Sequence, residues 1–271
     1  MKVDVLVCTY NSGRYLDACL KSIKDNVPVN KLWVIDKYSS DDTVKIARKF
    51  NANILQSDVS LAESRKLGFN AVETPLFVNV DSDIVLCENW FTELMKFWTD
   101  DKVGCVWGVD INQHPLHKAY AESMYRIRKS ETYDIPHLSN MIARKDLLRD
   151  IQFPKALYSG SVANEDWLIK RWIENRGFRC VCVPIHSKHY SYPPQSKKAM
   201  WYGASVRLSR ITSLRYIVLR FFLSIPQGLV TSVLSKNALV LPYWVKFKFD
   251  NLYGFLRYTK YYNFKRATRN V

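Results

Sequence analysis

The sequence predicts an α/β protein in which a Rossmann-like, mostly parallel sheet is flanked by helices. From residue 1 to residue 110, short apolar runs alternate with helical patterns, which is typical of parallel strands joined by crossover helices. Polar clusters follow three of these runs, and ligands of such sheets bind beyond the carboxyl ends of the strands. With 271 residues, the chain is long enough for one large domain and an appendage.

Each element is predicted from the spacing of its apolar residues. Strands are expected at 3–8, 32–35, 54–56, 76–80, 103–109 and 178–183. Helices are expected at 15–23, 42–50, 61–72, 90–98, 117–129 and 164–175. Ser40 or Asp41 is the expected cap of the second helix, and Gly177 ends the last one. Residues 133–142 are expected to be irregular.

The positive charge is concentrated in the last third of the chain. Of the formal net charge of +15, residues 187–271 carry +14, because they hold 15 Lys or Arg and one acidic residue, Asp250. They also hold 17 of the 37 aromatic residues. Such a region favours a polyanionic partner, either nucleic acid or an acidic membrane surface. We therefore predict an α/β domain at 1–195 and a basic, aromatic-rich helical region at 196–271.

The C-terminal region is predicted to lie at a membrane surface. Its charge-free stretch between Arg220 and Lys236 has fifteen residues, fewer than the about 20 that a spanning helix needs. Apolar segments bordered by Lys, Arg, Trp and Tyr are typical of interfacial helices that bind anionic headgroups. A soluble helical cap and a spanning hairpin remain as alternatives. The apolar content is too high for a nucleic-acid surface, so no nucleic-acid partner is expected.

The cysteines and the N terminus predict the compartment. The six cysteines form no CxxC pair, and we interpret them as buried reduced thiols rather than zinc ligands or disulfides. A strand pattern begins at Val3 without a preceding charged segment and long apolar segment, so no signal peptide is expected. The expected location is the cytoplasmic side of the cell membrane, peripheral or monotopic.

The triplet Asp81-Ser82-Asp83 follows a predicted strand and is the main candidate site. Two carboxylates at a strand end can reach a hard divalent cation and a neighbouring hydroxyl together. Mg²⁺ and Mn²⁺ prefer one or two carboxylates plus phosphate oxygens to a full protein cage. The alternative is a solvated turn, because a short acidic triplet is common by chance.

Four segments together resemble family 2 glycosyltransferases of the GT-A fold. They are Val-Cys-Thr-Tyr-Asn at 7–11, Val-Ile-Asp-Lys-Tyr-Ser-Ser-Asp-Asp-Thr at 34–43, Val-Asp-Ser-Asp at 80–83 and Asn-Glu-Asp at 164–166. Four motifs in this order and spacing are far more specific than any one of them. The resemblance covers roughly residues 1–190 and identifies 1–195 as the catalytic domain. Within the family, the chain resembles membrane-associated inverting sugar transferases.

The resemblance implies roles in nucleotide-sugar binding. The residues concerned are Thr9, Tyr10, Asn11, Asp36, Arg65, Asp81 and Ser82. Tyr10 is similar to the aromatic residue that stacks on the base, and Asp36 to the carboxylate that receives a base N–H. Arg65 resembles the basic residue near the base and diphosphate, and Asp81 the ribose ligand.

A divalent metal, Mn²⁺ or Mg²⁺, is the implied cofactor. Asp83 resembles the metal ligand that bridges to the diphosphate, where the cation neutralises the departing nucleoside diphosphate. In several GT-A enzymes, a histidine after the last strand completes the metal shell or touches the diphosphate. The spacing favours His189 over His186 for this position.

The Asn-Glu-Asp segment implies the catalytic base. Asp166 matches that role, with Glu165 beside it, because an inverting transfer needs a carboxylate to take the proton of the acceptor hydroxyl. The alternative is that both acids only stabilise a helix N-terminus. A complete segment favours a hydroxyl acceptor, since a lipid phosphate is already anionic and needs no base.

Lys37 departs from the family pattern, in which a second acidic residue often follows Asp36. Lysine is only a donor, so it cannot replace a carboxylate that accepts the N–H of uracil or guanine. Lys37 is expected to turn to Asp41, Asp42 or a phosphate. The donor therefore stays open among UDP-, GDP- and dTDP-linked sugars.

The resulting hypothesis is an inverting, metal-dependent glycosyltransferase that passes a sugar to a hydroxyl of a lipid-linked saccharide or glycolipid. One alternative is a polyprenyl-phosphate sugar synthase. Another is a catalytically inactive membrane- or nucleic-acid-binding protein. Nucleotidyltransferases are disfavoured because Thr9-Tyr10-Asn11-Ser12 stands where their glycine-rich signature is expected.

Overall fold

The computed structural model describes residues 1–128, 138–153, 165–190, 196–208 and 212–257. These residues form two compact units. The first contains residues 1–111, 138–153 and 165–190, and the second contains residues 112–128, 196–208 and 212–257. The predicted motif residue Asn164 and the segment 133–137, which was expected to be irregular, lie outside the described residues.

The described part of the first unit is built on one eight-stranded mixed sheet. Its strands are β1 (Val3–Thr9), β2 (Val29–Asp36), β3 (Asn53–Gln56), β4 (Leu76–Val80), β5 (Ile84–Val85), β6 (Val103–Asn112), β7 (Asn140–Arg144) and β8 (Arg179–His189). They lie in the order β3-β2-β1-β4-β7-β6-β8-β5. The pairs β3–β2, β2–β1 and β1–β4 are parallel, whereas β7 is antiparallel to β4 and β6, and β5 to β8. The predicted α/β sheet is confirmed, with its parallel part in the first four strands.

The described helices complete both units. They are α1 (Gly13–Asn26), α2 (Thr43–Lys49), α3 (Leu61–Ala71), α4 (Trp90–Met95), α5 (Pro115–Arg128), α6 (Lys145–Leu148), α7 (Glu165–Glu174), α8 (Ser196–Leu208), α9 (Leu214–Ser235) and α10 (Val240–Leu256). In the first unit, the apolar residues of α1 and α4 pack on the sheet. Fully buried side chains there include Val5, Val7, Leu16, Leu20, Val34, Val78, Val80 and Trp90.

Helix α3 is held close to β1, and this places Arg65. The helix begins with a capping box, in which Ser60 Oγ accepts the Glu63 N–H and the Glu63 carboxylate accepts the Ser60 N–H. At Gly68, an added Cβ would overlap the side chain of Leu6 in β1. Because crossover helices start at the carboxyl edge of the sheet, the first half of α3, including Arg65, lies at that edge.

Several predicted boundaries need correction. Part of the segment expected to be irregular forms β7, which pairs on both sides. Strand β8 continues past Pro184 to His189, although the proline ends the apolar pattern. The N-cap of α2 is Asp42, and its side chain makes no capping bond. Asp41 instead accepts the N–H of Gly13 at 2.8 Å, so it ties the start of α1 to the loop after β2.

The second unit is helical, and it includes α5. Helix α10 packs closely on α8, where an added Cβ at Gly203 would overlap the Asn251 carbonyl oxygen and one at Gly254 the Met200 carbonyl oxygen. Tyr120 of α5 stacks on Trp244 of α10 at 3.5 Å between ring centroids. The predicted boundary at residue 195 grouped α5 with the sheet, because its amphipathic pattern does not reveal which neighbour it packs against.

The six cysteines all carry free thiols, as predicted. Only Cys19 and Cys105 are fully buried, so the expectation of burial holds for these two. Burial raises the pKa of the Cys8 thiol to about 12 despite the nearby Arg65 guanidinium. The Cys8 thiol therefore stays protonated at neutral pH.

Candidate active site

The loops after β1, β2 and β4 meet at one edge of the sheet. β1 and β2 pair in register with Thr9 opposite Asp36, and β4 lies on the other side of β1. The Oγ atoms of Ser12 and Ser82 are 2.9 Å apart, and this hydrogen bond links the first loop to the acidic triplet. The polar clusters noted in the sequence thus converge as expected for the carboxyl ends of neighbouring parallel strands.

Arg65 forms the buried centre of the acidic site. Only 3% of its side chain is exposed, and its guanidinium donates to Asp81 Oδ1 at 2.8 Å and to the Glu165 carboxylate. The Asp166 Oδ1 atom is 3.8 Å from the same guanidinium. Burial alone would lower the pKa of Arg65, but the three carboxylates raise it above its ordinary value. Arg65 therefore joins the three carboxylates, and its expected place near the base and diphosphate stays a prediction.

The two acids at the start of α7 differ in their surroundings. The Glu165 side chain is 10% exposed and paired with Arg65, whereas the Asp166 side chain is 34% exposed. The structure therefore makes Glu165 an anchor for α7 and leaves Asp166 as the accessible acid.

Asp83 and His189 lie side by side. Antiparallel pairing of β5 with β8 sets Ile84 opposite His189, and the His189 Nε2 atom is 3.3 Å from Asp83 Oδ2. On its other side, Nδ1 is 2.6 Å from Asp110 Oδ2. His189 is thus the histidine that contacts Asp83, and metal binding by this pair stays a prediction.

Asp110 and Ser139 connect His189 to the backbone of the triplet. Ser139 donates its hydroxyl to Asp110 Oδ1 at 2.8 Å, and its carbonyl accepts the Asp81 N–H at 2.9 Å. Burial lowers the pKa of His189, but hydrogen bonds to Asp110 and Asp83 outweigh it and raise this pKa to about 10. Sequence reasoning missed Asp110 and Ser139. The only available signal was a carboxylate at the end of the apolar run of β6.

The donor set suits a divalent cation that arrives with a diphosphate. Within the described ranges, no group of three or more His, Cys, Asp or Glu side chains is arranged to hold a metal. Asp83 offers a carboxylate oxygen, and His189 can offer Nε2 once the cation displaces the proton that its raised pKa keeps on the ring. Mg²⁺ and Mn²⁺ are commonly bound by one or two protein ligands plus substrate phosphates and water, so this pair fits such an ion.

Asp36 is buried and fully engaged, contrary to its predicted role as an acceptor for the base. Its Oδ1 accepts the hydroxyls of Thr9 and Ser39, and its Oδ2 accepts the Ser39 N–H and the Gln56 amide, both at 3.0 Å. Burial raises the pKa of Asp36, but these bonds lower it below its ordinary value. Four donors use the four lone-pair positions of the carboxylate. In this arrangement Asp36 holds the loop after β2, and Thr9 supports it.

Lys37 also differs from its expected contacts. Its ammonium donates to the Val59 carbonyl at 3.0 Å and lies 3.2 Å from Asp58 Oδ1, so it ties the loop after β2 to the start of α3. It does not turn to Asp41, which accepts from Gly13 and Thr43. The lysine therefore places a cation where the family pattern often has a carboxylate.

Two exposed tyrosines flank the ends of β1 and β2. Tyr10 is 61% exposed and Tyr38 is 60% exposed. Tyr38 has a φ of 48°, which is uncommon for an aromatic residue. Asn11 shares this φ, and its Oδ1 accepts the Ser40 N–H at 2.9 Å, so it orders the loop between the two rings. Tyr38 was missed by sequence reasoning, although its place after a strand end was a usable signal.

The model of a protein family described as Glycosyl transferase family 2 matches residues 4–167. No curated protein sequence matches the chain. A similar solved structure is the mannosyltransferase PcManGT from Pyrobaculum calidifontis in complex with GDP-Man and Mn²⁺. It has a TM-score of 0.66 at 16% identity, covering 95% of this chain and 87% of that chain.

Glucosyl-3-phosphoglycerate synthase from Mycobacterium tuberculosis is also similar. In complex with phosphoglyceric acid it has a TM-score of 0.57 at 17% identity, covering 77% of this chain and 79% of that chain. In complex with Mn²⁺, UDP-glucose and phosphoglyceric acid it has a TM-score of 0.53 at 18% identity, with the same coverage. At these identities the similarity concerns the fold, and it confirms the expected architecture.

Proposed function

Because the chain belongs to glycosyl transferase family 2 and has the GT-A fold, we propose that it is an inverting, metal-dependent glycosyltransferase with a hydroxyl acceptor. The observation that carries this proposal is the arrangement around Arg65. One acid of the pair on α7, Glu165, is buried in an ion pair, and the other, Asp166, is accessible at the edge where Asp81 also lies.

Asp81 and Asp83 are assigned to the nucleotide diphosphate. Asp81 uses Oδ1 for Arg65, and its second oxygen is proposed to accept a ribose hydroxyl. Asp83 and His189 would hold Mn²⁺ or Mg²⁺, which supplies Lewis-acid stabilisation of the negative charge on the departing diphosphate. The solved relatives named above, which carry Mn²⁺ with GDP-Man or with UDP-glucose, support this assignment.

Asp166 is assigned as the general base. The acceptor oxygen attacks the anomeric carbon, the bond from that carbon to the diphosphate oxygen breaks, and the nucleoside diphosphate leaves with the bonding electrons. Asp166 takes the proton of the acceptor hydroxyl. A single base on one face of an oxocarbenium-like transition state produces inversion, as it does in inverting hydrolases.

The nucleotide base of the sugar donor is proposed to be recognised by a hydrogen-bond donor of the protein rather than by an acidic residue. Asp36 is engaged by four donors. The adjacent Lys37 ammonium has three N–H groups, of which one donates to the Val59 carbonyl and one faces Asp58. A carbonyl oxygen on the base can accept from a lysine, and uracil, thymine and guanine all carry one. UDP-, GDP- and dTDP-linked sugars therefore remain the proposed donors, with Tyr10 and Tyr38 as stacking surfaces.

The acceptor is proposed to be a lipid-linked saccharide or glycolipid at the cytoplasmic side of the cell membrane. Support comes from residues 187–271, which carry +14 and 17 aromatic residues. A cationic, aromatic-rich segment is suited to an anionic bilayer surface. The second candidate is a polyprenyl-phosphate sugar synthase, since its acceptor would be found at the same surface.

The Asp166→Asn variant tests the proposed chemistry. We expect loss of sugar transfer, while thermal shifts induced by Mn²⁺ with UDP-, GDP- or dTDP-sugars stay at the wild-type value. Transfer that persists in the variant would favour a phosphate acceptor. The matched Asp83→Ala variant should lose the metal-dependent thermal shift with nucleotide. If the wild type itself shows no such shift, the protein is a catalytically inactive binding protein.

A further inference from the structure

Helix α9 buries its small polar residues and exposes its large apolar ones. Along its charge-free part, the buried positions are Ser224, Gly228 and Thr231. The exposed positions are apolar: Phe222, Leu223, Ile225, Pro226, Leu229, Val230, Val233 and Leu234. Val233 is 76% exposed and Phe222 is 60% exposed. At the helical period of 100° per residue these exposed residues cover one continuous side, called here the outer face of α9.

This distribution is the reverse of that in a water-facing helix, which hides its apolar side. Contiguous apolar surfaces of this kind on soluble proteins mark protein or membrane interaction sites. The polar residues of the buried side need no outside partner. Thr231 donates to the Gln227 carbonyl at 2.7 Å, and Ser224 donates to the Phe221 carbonyl within the same helix.

The buried side is fitted for close helix packing. At Gly228, an added Cβ would press on the side chain and backbone of Leu241 in α10. Small residues that let helix backbones approach are typical of helices whose other side faces lipid, since apolar burial gives no driving force there. Helix α9 therefore packs on α10 through small residues that allow a close approach, and its large apolar residues stay exposed.

The length of α9 permits a span, but its neighbours argue against one. Among the described residues, α9 alone is long and apolar enough to cross a membrane, with 22 residues and a hydropathy of 1.7. The helix is thus longer than its charge-free stretch of fifteen residues. Yet Gln227, near its middle, accepts a hydrogen bond from Tyr120 of α5 at 3.2 Å. Two residues from Tyr120, Lys118 approaches Glu122 at 3.8 Å.

A spanning α9 would carry these charges to the middle of the bilayer, where ionised groups are costly. An α9 that lies in the plane of the membrane keeps α5 on the water side. Cations flank the outer face at Arg215, Arg220 and Lys236, and the acidic Asp250 is neutralised by Lys246 at 2.8 Å. This combination of an apolar face with positive ends complements an anionic lipid surface.

We propose that the outer face of α9 inserts into the headgroup–acyl boundary of an anionic bilayer, with the helix axis parallel to the membrane. This inference rests on the proposed membrane location and adds the contact surface and the depth. Insertion of one face would make the chain monotopic. Lipid is the occupant because a protein partner would not require positive charge at both ends of the apolar face.

Vesicle flotation of the full chain tests the surface. With vesicles of phosphatidylcholine and phosphatidylglycerol, we expect the wild type to float and the double variant Phe222→Gln/Val233→Gln to bind at least about tenfold more weakly, as expected for loss of buried apolar area. Glutamine keeps helix propensity and adds no charge. The matched control, Phe97→Gln/Ile127→Gln, removes two other exposed apolar side chains and should float like the wild type.

The outcomes separate the two proposals. If the wild type fails to float, the membrane location itself is wrong. If the wild type and the α9 variant float equally, the location stands and the outer face of α9 is not the contact surface. If the control loses flotation to the same extent, general hydrophobicity accounts for binding and the inference is overturned. Circular dichroism of each variant confirms that the fold is retained.

The orientation is tested with added tryptophans. The variants Phe222→Trp and Val233→Trp each place one tryptophan on the outer face of α9. The two positions are about 16 Å apart along the helix axis. Quenching by lipids brominated at different acyl depths, after subtraction of the wild-type signal, should give the same depth for both. A spanning α9 would place Phe222 near the bilayer centre and Val233 near the headgroups, so clearly different depths would overturn the parallel orientation.

Discussion

The buried guanidinium of Arg65 is paired with Glu165, so α3 and α7 are joined beneath the acidic site. Replacement of Glu165 by glutamine leaves this cation with Asp81 as its main partner. We expect Glu165→Gln to lower the free energy of unfolding by about 3 kcal/mol, the usual loss when one member of a buried pair is removed. Urea denaturation measures this. Glu174→Gln, at the exposed end of α7, is the control and should cost less than about 1 kcal/mol.

The same substitution separates anchoring from catalysis. If Glu165 is an anchor, Glu165→Gln loses stability and Asp166→Asn does not. An equal stability of Glu165→Gln and the wild type would contradict the anchoring role of the ion pair.

Asp110 is expected to hold His189 in the orientation that directs Nε2 to Asp83. Carboxylates that accept from a metal-binding histidine commonly change metal affinity by about 10- to 100-fold when removed. We therefore expect Asp110→Ala to weaken Mn²⁺ binding by this order in the presence of nucleoside diphosphate, measured from the free Mn²⁺ signal by electron paramagnetic resonance. Asp101→Ala, at a fully exposed acid, should leave the affinity unchanged.

The Asp36 carboxylate is expected to make the protein less stable as the pH falls. Its pKa is lowered in the folded state, so its contribution is present above the unfolded pKa and is lost as the pH falls through the folded pKa. We expect the wild type to lose stability more steeply than Asp36→Asn below about pH 4, where unfolded aspartates begin to protonate. Urea unfolding of both proteins across this range measures the difference, and parallel curves would refute the role of Asp36.

Tyr38 should affect stability and binding in opposite directions. Asparagine tolerates a φ near 48° better than tyrosine does, so Tyr38→Asn is expected to raise the free energy of unfolding by about 0.5–1 kcal/mol. It also removes an exposed ring, and we expect nucleoside diphosphate to bind more weakly by isothermal titration calorimetry. Tyr10→Asn should weaken binding without the gain in stability. Unchanged binding in Tyr38→Asn would remove this residue from the base site.

Much of the sheet and of the acidic site could be predicted from local pattern. Leu76–Val80 is a strand as expected, and Asp81-Ser82-Asp83 follows it at the carboxyl edge. Strand β5 and the continuation of β8 could not be predicted, because a two-residue strand has no periodicity and Pro184 interrupts the apolar pattern. These two strands are the ones that bring His189 to Asp83.

The sequence by itself determined most strands and helices of the sheet domain, the family and the residue types of the site, because apolar spacing and local motifs are encoded in neighbouring positions. Tertiary structure alone decided which of those residues are available. Asp36 accepts from four donors and Glu165 is paired with Arg65, whereas Asp166 is more exposed. It also decided which side of α9 faces out. Such choices depend on contacts between segments far apart in the chain, and hydrogen-bond partners and burial are properties of those contacts.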